Sequence, residues 1–339
     1  MSNRRNFIKK IGLGTLGIGG AISAGCLTND EVFNFVHLTD THVTSRRQGH
    51  LGYQACVDSI NALQTPPDFV LMGGDMVFDG LYNEMDEYDE QIRLFKEISE
   101  GLNMPYYPCL GNHDVLGLSS RRKVPVDHLG MGRKYIMDAL GMDDAYYSFN
   151  HKGWHFVVLN SIHEIELSHG PAYEHKIGEE QLDWLRYDLG AHKDMPTIAT
   201  SHYAVFNHLG QINADPDLKA MNHLILKDNK KLRNILERHG VKALLQGHTH
   251  ISEDFRFNDV WYITSQAGSA AWWGGNWLGF EPGYNVMTLG KDEILDWKAH
   301  TFEWEHQLEP DDTIERDRIL EREEFNARMD SLYQAEISG

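Results

Sequence analysis

Five short apolar segments of this chain each stop on side chains that ligate metals or carry protons. Tyr106 to Leu110 runs into Gly111-Asn112-His113-Asp114, and Val32 to Leu38 runs into Asp40-Thr41-His42. Phe69 to Met72 runs into Gly73-Gly74-Asp75, and Thr197 to Thr200 into Ser201-His202. Val241 to Leu245 runs into Gly247-His248-Thr249-His250. Short apolar runs bounded by turn residues read as buried strands. Carboxylate, amide and imidazole groups at the end of such a strand are costly unless something compensates them. One such ending is as readily a polar turn. Five point to a single crevice, because reactive groups in open α/β sheets gather beyond the carboxyl ends of the strands.

The candidate ligands Asp40, His42, Asp75, Asn112, His202, His248 and His250 are oxygen and imidazole donors with no thiolate. That set suits Zn, Mn, Fe or Co and disfavours a closed structural zinc site. Seven ligands exceed what one ion with an open position needs. They match two divalent or trivalent ions that share a carboxylate, roughly 3.5–4 Å apart. Two divalent ions against Asp40 and Asp75 leave the crevice positive by about two charges, so it attracts a phosphate anion. Bound metals also lower the pKa of water toward ~7 and so provide a hydroxide nucleophile. With Asn112 spent as a ligand, His113 is left to face the substrate, for leaving-group protonation or charge stabilisation. Asp114 is the carboxylate next to it in sequence and a candidate to orient its ring.

The elements that must carry these groups alternate. Tyr53, Val57, Ile60 and Leu63 mark a helix face, as do Tyr88, Ile92 and Phe95, then Leu182, Leu185 and Leu189, then Leu232, Ile235 and Leu236. Strands are expected at Tyr146 to Asn150, Trp154 to Asn160, Asp254 to Phe257, Val260 to Thr264, Gly283 to Leu289 and Ile294 to His300. Ile162 to Gly178 reads as a polar loop over the site, and 203–229 as a long connection. The result is an α/β domain over 30–300, followed by a charged, partly helical tail over 301–339 with Ile319, Phe325, Met329 and Leu332 at helical spacing.

Residues 1–25 read as an export signal. Arg4-Arg5 followed by Phe7 and Lys9 resembles a twin-arginine motif, and Ile11 to Ile22 is too short to span a bilayer. Ser23-Ala24-Gly25-Cys26 resembles a lipoprotein cleavage box, which makes Cys26 a candidate lipid anchor. The expected partners are therefore export machinery and a small phosphoester substrate, in the periplasm or cell envelope. A formal net charge of -19 repels nucleic-acid polymers. Three cysteines are too few for a disulfide scaffold.

Taken in order, Asp40-x-His42, Gly74-Asp75, Gly111-Asn112-His113-Asp114, His202 and Gly247-His248-x-His250 resemble the motifs of the calcineurin-like metallophosphoesterases. The resemblance implies a four-layer α-β-β-α sandwich with two mixed sheets. It implies one metal on Asp40, His42, Asp75 and His250, and a second on Asp75, Asn112, His202 and His248. It also implies hydrolysis of a phosphomonoester or phosphodiester by metal-bound hydroxide. The purple acid phosphatase branch has a tyrosine three places after the bridging aspartate; Phe78 stands there, so a tyrosinate–iron site is not expected. The pattern is more similar to the bacterial cyclic-nucleotide phosphodiesterase-like group.

Four further residues are candidates for substrate contact: Arg46 and Arg47 as a phosphate clamp, and Trp272 and Trp273 as stacking surfaces. Phosphatases of sugar, nucleotide or lipid head-group phosphates stay open within the enzyme reading. Outside it stands a non-catalytic exported protein that only binds metal or ligand.

Overall fold

Neighbouring residues along the central strands enter different cores, and that alternation produces the layers. The computed structural model describes residues 32–209, 224–307 and 309. In β1 (Phe33–Leu38), Phe33 and Phe35 join one apolar cluster while Val36 and Leu38 join another. The same alternation runs through β2 (Val70–Met72) and, on the other side of the molecule, through β5 (Trp154–Leu159). A strand whose two faces are both buried reads as continuously apolar, which is why these runs carry no polar alternation.

The remaining strands are β3 (Tyr106–Tyr107), β4 (Tyr147–His151), β6 (Ile162–Leu167), β7 (Gly170–His175), β8 (Thr197–Ser201), β9 (Ala243–Gln246), β10 (Glu253–Phe257), β11 (Val260–Thr264), β12 (Gly283–Leu289) and β13 (Ile294–Thr301). One sheet has the order β13-β12-β1-β2-β3 and the other β10-β11-β9-β8-β5-β4. Both are mixed: β1, β2 and β3 run parallel, as do β5, β8, β9 and β11, and the outer strands are antiparallel. Phe35, Phe69, Phe156 and Met287 fill the space between the sheets. Helices α1 (Gly49–Asn61), α2 (Met85–Ser99) and α3 (Lys134–Leu140) cover the first sheet. Helices α4 (Glu179–Ala191) and α5 (Asn229–Arg238) cover the second. This is the expected four-layer α-β-β-α sandwich.

Two local expectations change, and one further helix forms. Ile162 to Gly178 is not a loop but the hairpin β6–β7, paired from Ile162↔His175 to Leu167↔Gly170. Its mostly half-exposed faces gave no apolar run to read. The segment before Gly111 pairs only at Tyr106 and Tyr107, because the chain leaves the sheet early to reach the crevice. Within 115–145, α3 forms and ends on Gly141, which takes the left-handed conformation with φ 69°. The export signal over 1–25, Cys26 and the helix expected over 309–337 lie outside the described residues, apart from Glu309 itself. The first part of the tail packs on the domain through Phe302 and Trp304.

Candidate metal centre

All five motif loops leave parallel strands at the same edge of the two sheets. Backbone hydrogen bonds join them: Asp40 N donates to Gly74 O (2.9 Å), His42 N to Asp75 O (3.0 Å) and Gly247 N to His202 O (3.1 Å). The turns are sharp. Asp40, His42, Asp75, His248 and His250 all have φ between 40° and 72°, the left-handed region that non-glycine residues rarely adopt. Backbone strain of this kind costs about 1–3 kcal/mol per residue and persists where the surroundings over-determine it, typically at functional sites. The loops also approach closely. A Cβ on Gly111 would meet Asp75 Oδ1, and one on Gly247 would meet Thr39 Oγ1, so neither position has room for a side chain.

The strained turns bring the ligand atoms into two groups. Asp40, His42 and His250 form one, and Asp75, His202 and His248 the other. Three imidazoles are oriented by backbone carbonyls: His42 Nδ1 on Phe78 O (3.3 Å), His202 Nδ1 on Gly73 O (2.9 Å) and His250 Nδ1 on Ala270 O (2.6 Å). A carbonyl only accepts, so each Nδ1 carries a hydrogen, and a ring that is neutral then presents the lone pair of its Nε2. His42 Nε2 and His250 Nε2 face each other at 3.1 Å, and His202 Nε2 faces His248 Nδ1 at 3.2 Å. Ring nitrogens so placed repel unless a proton or a cation sits between them. Asp75 Oδ2 lies between the groups, 3.1 Å from His202 Nε2 and 3.8 Å from His42 Nε2. The amide oxygen of Asn112, the residue before His113, whose amide donates to Asp75 Oδ1, is buried without a hydrogen-bond partner. An orphaned acceptor in a buried site is the mark of a missing cation or donor. The donor set fits bound metal.

The electrostatics agree. Burial pushes the His42 ring down to about 3 against the pull of Asp75, which keeps it neutral and able to ligate. Burial and a charged His202 hold His248 well below the ordinary imidazole range. At His202 burial also opposes charge, but Asp75 and Asp40 outweigh it and lift the ring to about 9. Burial works against the Asp75 carboxylate too, yet His202 and His113 hold its pKa well below the usual range.

His113 stands over the first group, its ring centroid 5.0 Å from that of His42. Its backbone N–H donates to Asp75 Oδ1 (2.8 Å). The carboxylate beside its ring is Asp79, with Oδ1 at 3.5 Å from Nδ1, and not Asp114. Burial alone would discharge this imidazole; Asp75 and Asp79 overcome that and raise it to about 9. The Asp114 oxygens accept instead from the amides of Met76 (2.8 Å), Val77 (3.1 Å) and Gly111 (2.8 Å). Sequence proximity suggested Asp114 as the orienting group, whereas the turn after Asp75 delivers Asp79. The signal for Asp79 was a carboxylate four residues beyond Asp75, closing the short apolar stretch Met76 to Phe78.

The four candidate substrate contacts separate. Arg47 is buried and donates from Nη1 to Trp272 O (2.8 Å), and Arg46 pairs with Glu309 (3.1 Å). Arg47 therefore braces the segment that carries Trp272, and Arg46 ties the chain after the first motif to Glu309. Trp273 is buried against Gly49 and Gly52, and its Nε1–H is shared by the carbonyls of Thr41 and His42, both at 3.0 Å. It anchors the first ligand loop from below and is not a stacking surface. Trp272 is half-buried and lies beside the ligands, 4.3 Å from His250 between ring centroids. On the far side, Tyr203 covers His248 at 4.0 Å between ring centroids, and its hydroxyl meets that of Tyr173 on the hairpin (3.1 Å). Neither tyrosine stood out in the sequence.

The sequence profile described as "Calcineurin-like phosphoesterase" matches residues 33–252. A "probable cyclic nucleotide phosphodiesterase" of Moraxella catarrhalis is 27% identical over 66% of this chain and 73% of its own length. Another of that description, from Xenorhabdus bovienii, is 23% identical over 76% and 96%. A "probable glycerophosphodiester phosphodiesterase" of Arcobacter nitrofigilis is 23% identical over 69% and 78%. With the profile spanning every motif loop described above, the chain belongs to the calcineurin-like phosphoesterase family, whose members are metal-dependent hydrolases.

Proposed function

We propose that the chain is a binuclear metal-dependent phosphoesterase that hydrolyses a small phosphodiester. The observation that carries the reading is Asp75 Oδ2, set between two imidazole groups at 3.1 and 3.8 Å, together with the buried, unpartnered oxygen of Asn112. Asp40, His42, Asp75 and His250 would hold one cation; Asp75, Asn112, His202 and His248 the other. When bound, such a pair supplies Lewis acidity toward the phosphoryl oxygens and a nucleophile at neutral pH. The chain's own residues do the rest. The His113 imidazole, kept charged by Asp75 and Asp79, donates its proton to the departing ester oxygen. Asp79 holds that ring through an ion pair and is itself fixed by Leu81 N, which donates to its Oδ1 at 2.8 Å.

Three relatives are named for phosphodiesters, which supports a diester over a monoester. The net charge of -19 supports a small ester over a polyanion. The twin-arginine pair supports action outside the cytoplasmic membrane; replacing Arg4 and Arg5 by lysine should then leave the protein inside the cell. To test the activity, the full chain is loaded with manganese, cobalt or zinc and assayed on bis(4-nitrophenyl) phosphate and 4-nitrophenyl phosphate. Two metals per chain and faster turnover of the diester are expected. Faster monoester turnover would recast the protein as a phosphatase, and a chain with two bound metals that cleaves neither ester would end the enzyme reading.

A further inference from the structure

Beside the metal ligands stands an aromatic surface that the mechanism above does not use. The Trp272 ring lies 4.3 Å from His250 and 5.5 Å from His42 between centroids. Trp277 meets it edge-on at 5.2 Å and 89°. Both indoles are half-buried, unlike their neighbour Trp273. Partly open apolar rings beside the most polar place in the molecule call for a reason, since a polar lining would be easier to hydrate.

The loop that carries them is held rigidly. Ala270, Trp272, Trp273 and Leu278 take φ of 47°, 51°, 66° and 51°. Arg47 fixes the Trp272 carbonyl from beneath, and Trp277 Nε1–H donates to Thr249 O (3.0 Å) within the last ligand loop. Trp277 and Phe280 exchange backbone hydrogen bonds at 2.9 and 2.8 Å, closing the far turn. Leu278 and Phe280 rest on Leu209, Leu224 and Ile251. A rigid ring binds a flat partner with little ordering cost. Its position also matters: Trp272 and His113 flank the same residue, His42, at 5.5 and 5.0 Å. A group that departs toward His113 would therefore leave beside His42, the residue that Trp272 also borders.

We infer that Trp272, backed by Trp277, is the specificity-determining platform for a flat ring on the substrate, so that the site takes nucleotide-type phosphoesters in preference to aliphatic head-group esters. The inference rests on the phosphoesterase reading above and narrows its substrate class. An indole face stacks on any base, whereas a glycerol or ethanolamine group offers it little area.

The test is calorimetric binding of AMP, glycerol 3-phosphate and inorganic phosphate to the manganese-loaded full chain. AMP should bind the unaltered protein about tenfold or more tightly than glycerol 3-phosphate, in line with the usual worth of one base–aromatic stack. Trp272→Ala should remove most of that preference while manganese content and phosphate affinity stay as they were. Trp272→Phe, which keeps a ring, should restore most of it. Equal affinity of the unaltered protein for AMP and glycerol 3-phosphate would overturn the platform. So would a Trp272→Ala variant that loses manganese and weakens all three ligands alike, since the indole would then merely shield His250. Failure of the manganese-loaded protein to bind even inorganic phosphate would overturn the phosphoesterase reading itself, and the platform with it.

Discussion

Among the described residues, a carboxylate and two imidazoles come within 4.8 Å of one another in three places. Two of these trios form the candidate metal centre. The third, His155, Asp188 and His192, sits at the opposite edge of its sheet, where β5 begins and α4 ends. There both nitrogens of His155, both oxygens of Asp188 and Nδ1 of His192 have found protein partners. His155 Nδ1 meets Asn150 Oδ1 (2.7 Å) and its Nε2 meets Asp188 Oδ2 (2.8 Å). Ser148 donates to Asp188 Oδ1 (2.9 Å), and His192 Nδ1 meets the Asp188 carbonyl (2.8 Å). The two rings stack at 3.9 Å between centroids. At the motif edge the reverse holds: imidazole nitrogens face each other and an amide oxygen has no partner. Residue type and proximity are thus shared by all three trios. What separates a ligand set from a structural knot is whether hydrogen bonding within the protein is already complete.

Paired substitutions can break this contrast. Asp75→Asn should abolish both metal binding and turnover, read by metal analysis and kcat. Asp188→Asn should leave both intact and instead cost stability of about 1–3 kcal/mol in denaturant unfolding, the usual cost of unpairing a buried group. Metal lost from the Asp188 variant would mean that the third trio binds ions too. Next in size, His113→Ala should keep its metals and lower kcat by ~10²-fold or more, as expected for a general acid. Asp79→Asn should cost about tenfold, the lower end for a residue acting through its partner. An Asp79 effect as large as that of His113 would show that the carboxylate does more than hold the ring.

A pH dependence tests the charge state of the cluster. Since the Asp75 and Asp40 carboxylates raise His202 to about 9, its ring carries a proton at neutral pH that a metal must displace. Apparent metal affinity should therefore rise with pH by about tenfold per unit through neutrality and level off near that value. Competition with a chelator across this range measures it, and a flat profile would remove the proton from His202.

Much of the site was legible because ligand types at strand ends have few other uses. Asp40, Asp75, His202 and the His248–His250 pair each follow an apolar run whose period could be read. The missed features depend on turns. Asp79 replaces Asp114 beside His113 because the backbone after Asp75 curls under it, and no periodicity encodes that curl. Trp272 and Trp273 are identical in type and adjacent in sequence. Consecutive left-handed residues send one to the crevice and the other into the core. The β6–β7 hairpin was read as a loop because its pairing is with itself, outside either main sheet.

Asp114 carries a last implication. Its one carboxylate gathers amides from the segment that follows Asp75 and from the residue that precedes Asn112. The spacing between Asp75 and Asn112 is thereby gauged from beneath, by a carboxylate whose oxygens are taken up by backbone amides. The cradle keeps its dimensions whichever ions arrive, so an exchange of one metal for another should alter the chemistry of the crevice without reshaping it.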